Sequence, residues 1–519
     1  MDYDHHHYLI RFAQTHEGFR QPEIEALSRL AGVRCEIVSY SDDSPFCVVR
    51  FAFRDSPTTS TTSTNSRHEA HDDVVRNFIS RSILAKSIYE IWGQGRDYEE
   101  VHADVKQRSQ PLWPRFQNVT FRFSIDTYGL THDATKQKDM IDSFSYLGFK
   151  GKIRMKNPEA EFALMEDWLL PEFIRKRARE ESAASSTAVG TTVAEALSNS
   201  SLRQIFLGRK IGESRRWLRE KHDLKKRPYI STTSMDAELA LLTANMALAA
   251  PGKIFLDPFV GTGGFMVAAA ELGAMTLGSD IDGRSFRGKG LGLEKGVGAN
   301  FRKYGISHLF GDCITSDLTN TPVRSPTKSQ QRFGPRWLDG IICDPPYGVR
   351  EGLKVLGTRK ATAVSASGVD SDGRETSSSP TPHMIDGVLA HTRPGYIAPK
   401  KPYSFTRMLD DILDFATRTL VDGGRLAFWM PSANENESGE EESTLIPTHP
   451  HLELKHECIQ RFNKWSRRLL VYERLPGALD TEVDVEGLRR GMEGMARTAD
   501  ELNPFRKRYF EAFVGRNGT

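Results

Sequence analysis

From residue 253 onward, short apolar runs alternate with longer segments of helical spacing. Lys253–Leu256, Met275–Gly278, Leu338–Cys343 and Arg425–Trp429 each read as a strand. They are apolar in a near-continuous run, the pattern of strands buried on both faces. Helices are expected between them, including Phe265–Leu272 and Phe405–Leu420. Another precedes the first strand. Leu239, Leu242, Met246 and Ala249 share a face, Asp236 and Glu238 lie in its first turn, Ser234 is placed to cap it, and Pro251-Gly252 ends it. This alternation predicts a doubly wound, mostly parallel, Rossmann-like α/β sheet.

The N-terminal part follows another pattern. Residues 8–53 read as strand, helix, strand, strand, with Tyr8–Phe12 apolar, Pro22–Leu30 helical and Cys47–Phe53 rich in strand formers. Ser56–Asp72 reads as a polar loop insert, followed by a helix near Arg76–Trp92. Val119–Ile125 alternates as a strand does, Lys138–Leu147 is helical in spacing, Ser182–Thr192 is a loop and Gln204–Gly208 is a short apolar run. The first 210 residues are thus α+β. Ile211–Arg227 then carries seven cations, among them Arg215, Arg216, Lys225, Lys226 and Arg227, against three carboxylates. Two accounts fit so basic a linker: a solvated helical face, or contact with phosphates.

At 519 residues the chain is too long for one ordinary core, and two or three domains are expected. A formal net charge of +2 decides nothing about a polyanionic partner, so local charge must. The five cysteines are odd in number and form no C-x-x-C pair, which argues against a disulfide framework or a zinc site in this chain and fits a reducing compartment. His5, His6 and His7 read as solvated rather than metal-ligating. The N-terminus lacks a signal-peptide layout, and Leu239–Leu256 is too interrupted to cross a membrane, so a cytoplasmic chain is expected. Gly357–Pro382 and Asn434–Ser443 read as disordered inserts.

Three segments carry chemistry. Asp257-Pro258-Phe259-Val260-Gly261-Thr262-Gly263-Gly264 follows a strand and opens a helix, where glycines let the backbone approach a ligand closely. A nicotinamide fingerprint would need a third glycine where Met266 stands, and Asp257 ahead of the turn is a poor neighbour for a pyrophosphate. Asp257 suits the ammonium of a methionine moiety, so S-adenosylmethionine is the expected cofactor. Asp280 ends the second strand and is placed to accept ribose hydroxyls, with Asp282 its competitor. Asp312, in Gly311-Asp312-Cys313, can accept from the adenine amino group, and Phe259 and Cys313 join the candidates for the cofactor pocket. The third segment, Asp344-Pro345-Pro346-Tyr347-Gly348, directly follows a strand. An exocyclic amine on a base is a poor nucleophile, because its lone pair is delocalised into the ring. Asp344 can accept its N–H groups, the two prolines fix the backbone carbonyls, and Tyr347 can stack on an extruded base.

These motifs, with Thr233-Ser234-Met235-Asp236-Ala237-Glu238-Leu239, Lys225–Tyr229, Gly424–Pro431 and Trp465–Leu469, make the chain similar to the catalytic subunit of the eukaryotic and archaeal tRNA guanosine-10 N2-methyltransferase family. The similarity runs from about Leu202 to Glu473 and is looser before it. It implies a ferredoxin-like domain over 1–90, a THUMP domain binding tRNA over 91–210, a basic linker over 211–234, a class I methyltransferase domain over 235–475 and a C-terminal extension over 476–519. It further implies that Asp257, Gly261, Gly263, Asp280 and Asp312 line the cofactor pocket, that Asp344–Tyr347 hold guanine N2, and that a small zinc-binding activator subunit is the partner. The long inserts at 56–72 and 357–382 depart from the family. Adenine-N6 methylation of RNA and a tRNA-binding protein without catalysis are the competing functions.

Overall fold

In a computed structural model, residues 7–53, 64–169, 202–324, 336–349, 352–356, 384–393, 396, 399–433, 446–462 and 465–476 are described. The chain divides into two compact units, Met1–Asp223 and Leu224–Thr519.

The first unit is built on strands β1 (His7–Phe12), β2 (Arg34–Tyr40), β3 (Phe46–Ala52), β4 (Ala85–Gly95), β5 (Phe121–Tyr128), β6 (Ala160–Trp168) and β7 (Leu202–Glu213). They form one sheet in the order β2-β3-β1-β4-β7-β6-β5, antiparallel except for β5 beside β6. The boundary expected at residue 90 therefore falls inside a central strand. Arg76–Trp92, expected to be helical, is divided: a helix spans Thr64–Ile79 and β4 begins at Ala85. The run Ala85–Trp92 is apolar enough for either element, and pairing on both sides with β1 and β7 decides it. Residues 64–72 of the expected loop insert belong to that helix, whereas 54–63 lie outside the described residues. The basic linker also starts inside the sheet, since β7 runs to Glu213, and only Leu218–Lys221 is helical beyond it.

A buried ion network fixes the centre of this sheet. Arg209 on β7 donates to both carboxylate oxygens of Asp72, each at 2.8 Å, and to Glu90 on β4 at 2.8 Å. Glu90 also accepts from Trp92 Nε1 at 2.9 Å. Bidentate geometry and full hydrogen bonding are what make such a desolvated group tolerable. Removing the guanidinium leaves two carboxylates without it in the interior. Arg209→Leu should therefore lower the stability of this unit by about 3–5 kcal/mol, read as a fall in the urea midpoint of the full chain. An unchanged midpoint would show that the network is dispensable.

The second unit contains β8 (Ile254–Asp257), β9 (Met275–Asp280), β10 (Phe310–Thr315), β11 (Leu338–Cys343), the short β12 (Lys354–Leu356), β13 (Met384–Ile385), β14 (Val388–Leu389) and β15 (Lys400–Pro402), then β16 (Leu420–Ala433), β17 (Leu452–Arg461) and β18 (Trp465–Arg474). Seven of them form the order β10-β9-β8-β11-β16-β18-β17. Five strands run parallel, and β17 and β18 return as an antiparallel hairpin on the edge. The strand order reverses between β8 and β11, a switch point at which doubly wound sheets open a crevice at the carboxyl ends of their strands. Helices Ala237–Met246, Gly264–Glu271 and Phe405–Thr419 accompany the sheet. The first is capped by Asp236, which accepts from Leu239 N at 3.0 Å, and not by Ser234. Ser234 Oγ instead accepts from Ser231 N at 2.9 Å and pairs with Thr262 Oγ1 at 2.7 Å. The inserts expected at 357–382 and 434–443 lie outside the described residues, as does all of 476–519 but its first residue.

Candidate active site

The glycine loop links the end of β8 to the helix that begins at Gly264. Gly261 and Gly263 have φ of 48° and 76°, the left-handed region that glycine enters without strain. The loop is stitched to β9: Val260 N donates to Ser279 O at 2.9 Å and Gly261 N to Asp280 Oδ2 at 3.0 Å. Asp280 Oδ1 accepts from Asp282 N at 2.8 Å. A carboxylate has about four acceptor positions, so after these two backbone bonds and that of the Ser285 side chain Asp280 retains capacity for a ribose hydroxyl. Asp282 is otherwise occupied, since it caps the turn at Gly283–Phe286 and pairs with the exposed Arg284 at 2.7 Å. Phe259 is half-buried against the core below, and its N–H donates to Asp257 Oδ1 at 3.0 Å.

Asp257 itself is only 2% exposed. Burial first, then the charges of Asp280 and Asp344, hold its carboxyl well above the usual range, against the single backbone bond from Phe259. Three acids thus gather at the carboxyl ends of the neighbouring strands β9, β8 and β11. A cation placed among them relieves all three, and the ammonium and sulfonium of S-adenosylmethionine have that sign.

The Asp344–Gly348 loop leaves β11 on the other side of the switch point. Pro345 is buried, Pro346 exposed, and Gly348 closes the loop at φ 69°. Asp344 Oδ1 is closed off from solvent and accepts no hydrogen bond among the described residues. Burial pushes the Asp344 carboxyl up to about 6, opposed by the Tyr347 hydroxyl and the charge of Arg467. An acceptor buried without a donor is costly unless a ligand supplies one.

Residues assigned no role from the sequence surround this loop. Trp465 meets Tyr347 edge-on at 6.1 Å and stacks on Phe462 at 4.6 Å. Arg467 lies over the rings of Trp429 and Phe462, at 4.8 and 5.6 Å, and donates to Gln460 Oε1 at 2.6 Å. All but Trp429 stand on or beside the β17–β18 hairpin. The available signal was the aromatic and arginine cluster in Trp465–Arg468, which carried no spacing rule of its own.

Two expected cofactor residues are placed differently. Asp312 is exposed within β10, opposite Leu277, while Thr315 is the residue level with Asp280. Three strand positions, about 10 Å, separate Asp312 from that edge. The cause is that Ile306–Leu309 is a turn, so the strand starts only at Phe310. Cys313 points into the core beside Met266, its Sγ 3.8 Å from Met266 Sδ. It lies under the loop, where a Cβ on Gly278 would meet it at 3.0 Å.

The basic candidates separate as well. Arg215 is exposed, whereas Arg216 donates to Ile83 O at 2.7 Å and so holds its own unit together. Lys225 and Lys226 are exposed, but Arg227 is 6% exposed, with its guanidinium close to Gly264. The following Tyr229 is tied by N and O to the buried Asn300, at 3.0 and 2.9 Å, and Asn300 reaches Thr262 O at 3.2 Å. Lys225–Tyr229 therefore includes a brace for the glycine loop. Among the described residues no cluster of His, Cys, Asp and Glu could hold a metal ion, and no helix is long and apolar enough to cross a membrane.

If Asp280 both shapes the loop and meets the ribose, Asp280→Ala should weaken S-adenosylmethionine binding by roughly 10- to 100-fold, the scale of one lost bond to a charged group. Titration calorimetry on the full chain measures this, and unchanged affinity would remove Asp280 from the site.

Comparison with known proteins adds to this geometry. Residues 6–194 match the family described as the Tmrp11 THUMP N-terminal domain. The tRNA (guanine(10)-N(2))-methyltransferase of Saccharomyces cerevisiae is 38% identical over 509 residues, covering 98% of this chain and 99% of its own. The tRNA (guanine(10)-N(2))-methyltransferase TRMT11 of Homo sapiens is 30% identical, over 90% of this chain and 88% of its own. The solved structure of TrmN from Thermus thermophilus aligns with 91% of this chain and all of its own, at 18% identity and a TM-score of 0.36. Near-complete coverage by relatives at this identity settles the kinship: the chain belongs to the tRNA (guanine(10)-N(2))-methyltransferase family.

Proposed function

We propose that this chain transfers a methyl group from S-adenosylmethionine to the exocyclic N2 amine of a guanine in tRNA, guanosine 10 by its kinship. The carrying observation is Asp344 Oδ1, a buried acceptor without a donor at the switch point, one strand from the glycine loop. When bound, the cofactor supplies an electrophilic methyl on a sulfonium. Asp257 and Asp280 hold its ammonium and ribose ends, with Gly261 and Gly263 giving close backbone approach. Asp344 accepts an N–H of the guanine amine and draws the lone pair out of the ring, which stabilises the charge developing on nitrogen. With its pKa raised, it is also a competent base for the proton that the amine then loses. Tyr347 contributes a ring face to the extruded base, and Trp465 and Phe462 widen that aromatic surface. Arg467 keeps Asp344 in its charged form.

The division of labour proposed is RNA binding by the first unit, whose ferredoxin-like and THUMP-like parts share one sheet and meet within β4, and catalysis by 235–475. Arg215, Lys225 and Lys226 on the linker contact phosphates. A small zinc-binding activator subunit and a cytoplasmic place of action complete the proposal.

The test is to incubate the chain and its activator with unmodified tRNA and labelled cofactor, then digest to nucleosides. Label should appear in N2-methylguanosine. Label in N6-methyladenosine, or none, would overturn the assignment. Asp344→Ala should slow transfer by about 10²–10³-fold, the scale of losing one preorganised transition-state contact, with tRNA affinity nearly unchanged.

The pH profile follows from the same group. The acceptor is the carboxylate, present above pH about 6 and lost below it. Single-turnover rates should therefore fall on the acid side, by roughly tenfold per unit. Arg467→Gln removes the cation that lowers this pKa, so the inflection should move to higher pH. An inflection that stays in place would show that Asp344 is not the group titrating.

A further inference from the structure

Phe462 directly follows β17, and it is 37% exposed. Its backbone is fixed: Phe462 N donates to Trp465 O at 2.8 Å, beyond the last strand pair, Arg461 with Ser466. The ring therefore stands at the open end of the β17–β18 hairpin. It stacks on Trp465 at 4.6 Å, with 21° between the planes, and the guanidinium of Arg467 lies 5.6 Å from its centre. Arg467 is itself held by Gln460 at 2.6 Å and by the ring of Trp429. Trp465 in turn meets Tyr347 edge-on at 6.1 Å. The three rings form a row. It begins at Tyr347, whose hydroxyl is closed off from solvent beside Asp344, passes through the half-buried Trp465, and ends at Phe462 in water.

A cross-strand aromatic pair stabilises a hairpin wherever it stands. Holding one ring exposed on a braced backbone, next to a buried acceptor, calls for a further reason. The reaction supplies one. The 2-amino group of a paired guanine lies on its minor-groove edge. In A-form RNA that groove is wide and shallow, so the end of a hairpin can reach it. The paired base itself cannot reach an acceptor as deep as Asp344 Oδ1 without leaving its stack. Its departure uncovers the faces of the neighbouring bases and leaves the helix free to close again. A flat apolar ring entering from the minor groove covers those faces and blocks the return. Tyr347 is turned toward Asp344, and Trp465 has one face covered by Phe462, which leaves Phe462 as the ring placed to enter the helix.

We infer that Phe462 is a wedge: as the target guanine leaves the helix for the Asp344 loop, the Phe462 ring takes the vacated place and stacks on the neighbouring base, backed by Trp465. The inference rests on the base-methylation reading above.

Two unmodified tRNAs test it, one with the target guanine opposite cytosine and one with it opposite an abasic site. Single-turnover methyl transfer is measured with the full chain and its activator subunit. Phe462→Ala should slow transfer roughly 10- to 100-fold on the paired tRNA, the scale of the unpairing cost that a wedge offsets, and far less on the abasic one, where nothing has to be unpaired. Phe462→Trp keeps a flat apolar ring and should restore most of the paired rate. Affinity for S-adenosylmethionine is the control for an intact fold, and Phe462→Gln replaces the alanine variant if that control fails. A second readout needs no chemistry. With S-adenosylhomocysteine present, wild type should raise the dimethyl sulfate reactivity of the cytosine opposite the target, and Phe462→Ala should not. Equal losses on the two tRNAs would overturn the inference and place Phe462 against the extruded base. Wild-type rates and cytosine reactivity in Phe462→Ala would overturn it too. If N2-methylguanosine forms on both tRNAs while Phe462→Ala matches wild type, the wedge is wrong and the methylation proposal stands. If wild type but not Phe462→Ala exposes the cytosine, and no N2-methylguanosine forms, the reverse holds.

Discussion

Asp257 ends β8 almost without exposure, and the energy of its charge is raised first by burial and then by two further carboxylates. Everything around the switch point answers that arrangement. The parallel register sets Asp257 opposite Gly278, two residues before Asp280, and Ile341 of β11 opposite Leu256, three residues before Asp344. Glycines in the left-handed region keep the space above the strand ends clear of side chains. Like charges held together at this edge are unfavourable in isolation, and positive charge brought near them offsets that cost.

The second requirement is a hydrogen-bond acceptor of the right strength. A carboxylate at its ordinary pKa would be a poor base at neutral pH, and one buried without support would be protonated, a weaker acceptor that cannot take up the amine's proton. Asp344 is held between these limits. Burial raises it, and Tyr347 and Arg467 lower it. Arg467 is in turn fixed by Gln460 and by the ring of Trp429, so the hairpin that closes the sheet edge also sets the electrostatics of the loop it faces.

Much of this was legible in the chain, for stated physical reasons. Strands buried on both faces are apolar runs, and β8, β9, β11 and β16 stand out for that reason. The glycine loop and the Asp344–Gly348 segment are local signals that need no tertiary context. The β17–β18 hairpin was not legible, because Leu452–Arg461 mixes Glu, Lys, His and Gln into a half-exposed edge strand. Arg467 and Trp465 went with it. Ala85–Trp92 was read as helix, because an apolar run does not distinguish a helix from a strand paired on both sides. Asp312 looked like a strand-end acid, because the apolar stretch before it suggested a strand that begins only at Phe310. Register is set by neighbours, and a single sequence does not display it.

The charge of the site also constrains how such a protein engages RNA. Three carboxylates at the strand ends favour a sulfonium and an ammonium, and by the same sign they oppose a polyanion. Affinity for a nucleic acid must then be supplied by cations elsewhere. A net charge of +2 conceals this separation, because it sums an acidic crevice with exposed basic segments. Lys225 and Lys226 are exposed in one unit, and Arg215 and the cations between Lys150 and Lys156 in the other. Binding would then weaken with added salt, while the chemical step, shielded from solvent around Asp344, would depend on salt much less. Substitutions in the basic segments should act on substrate affinity, and substitutions at the strand ends on cofactor binding and on the rate of transfer.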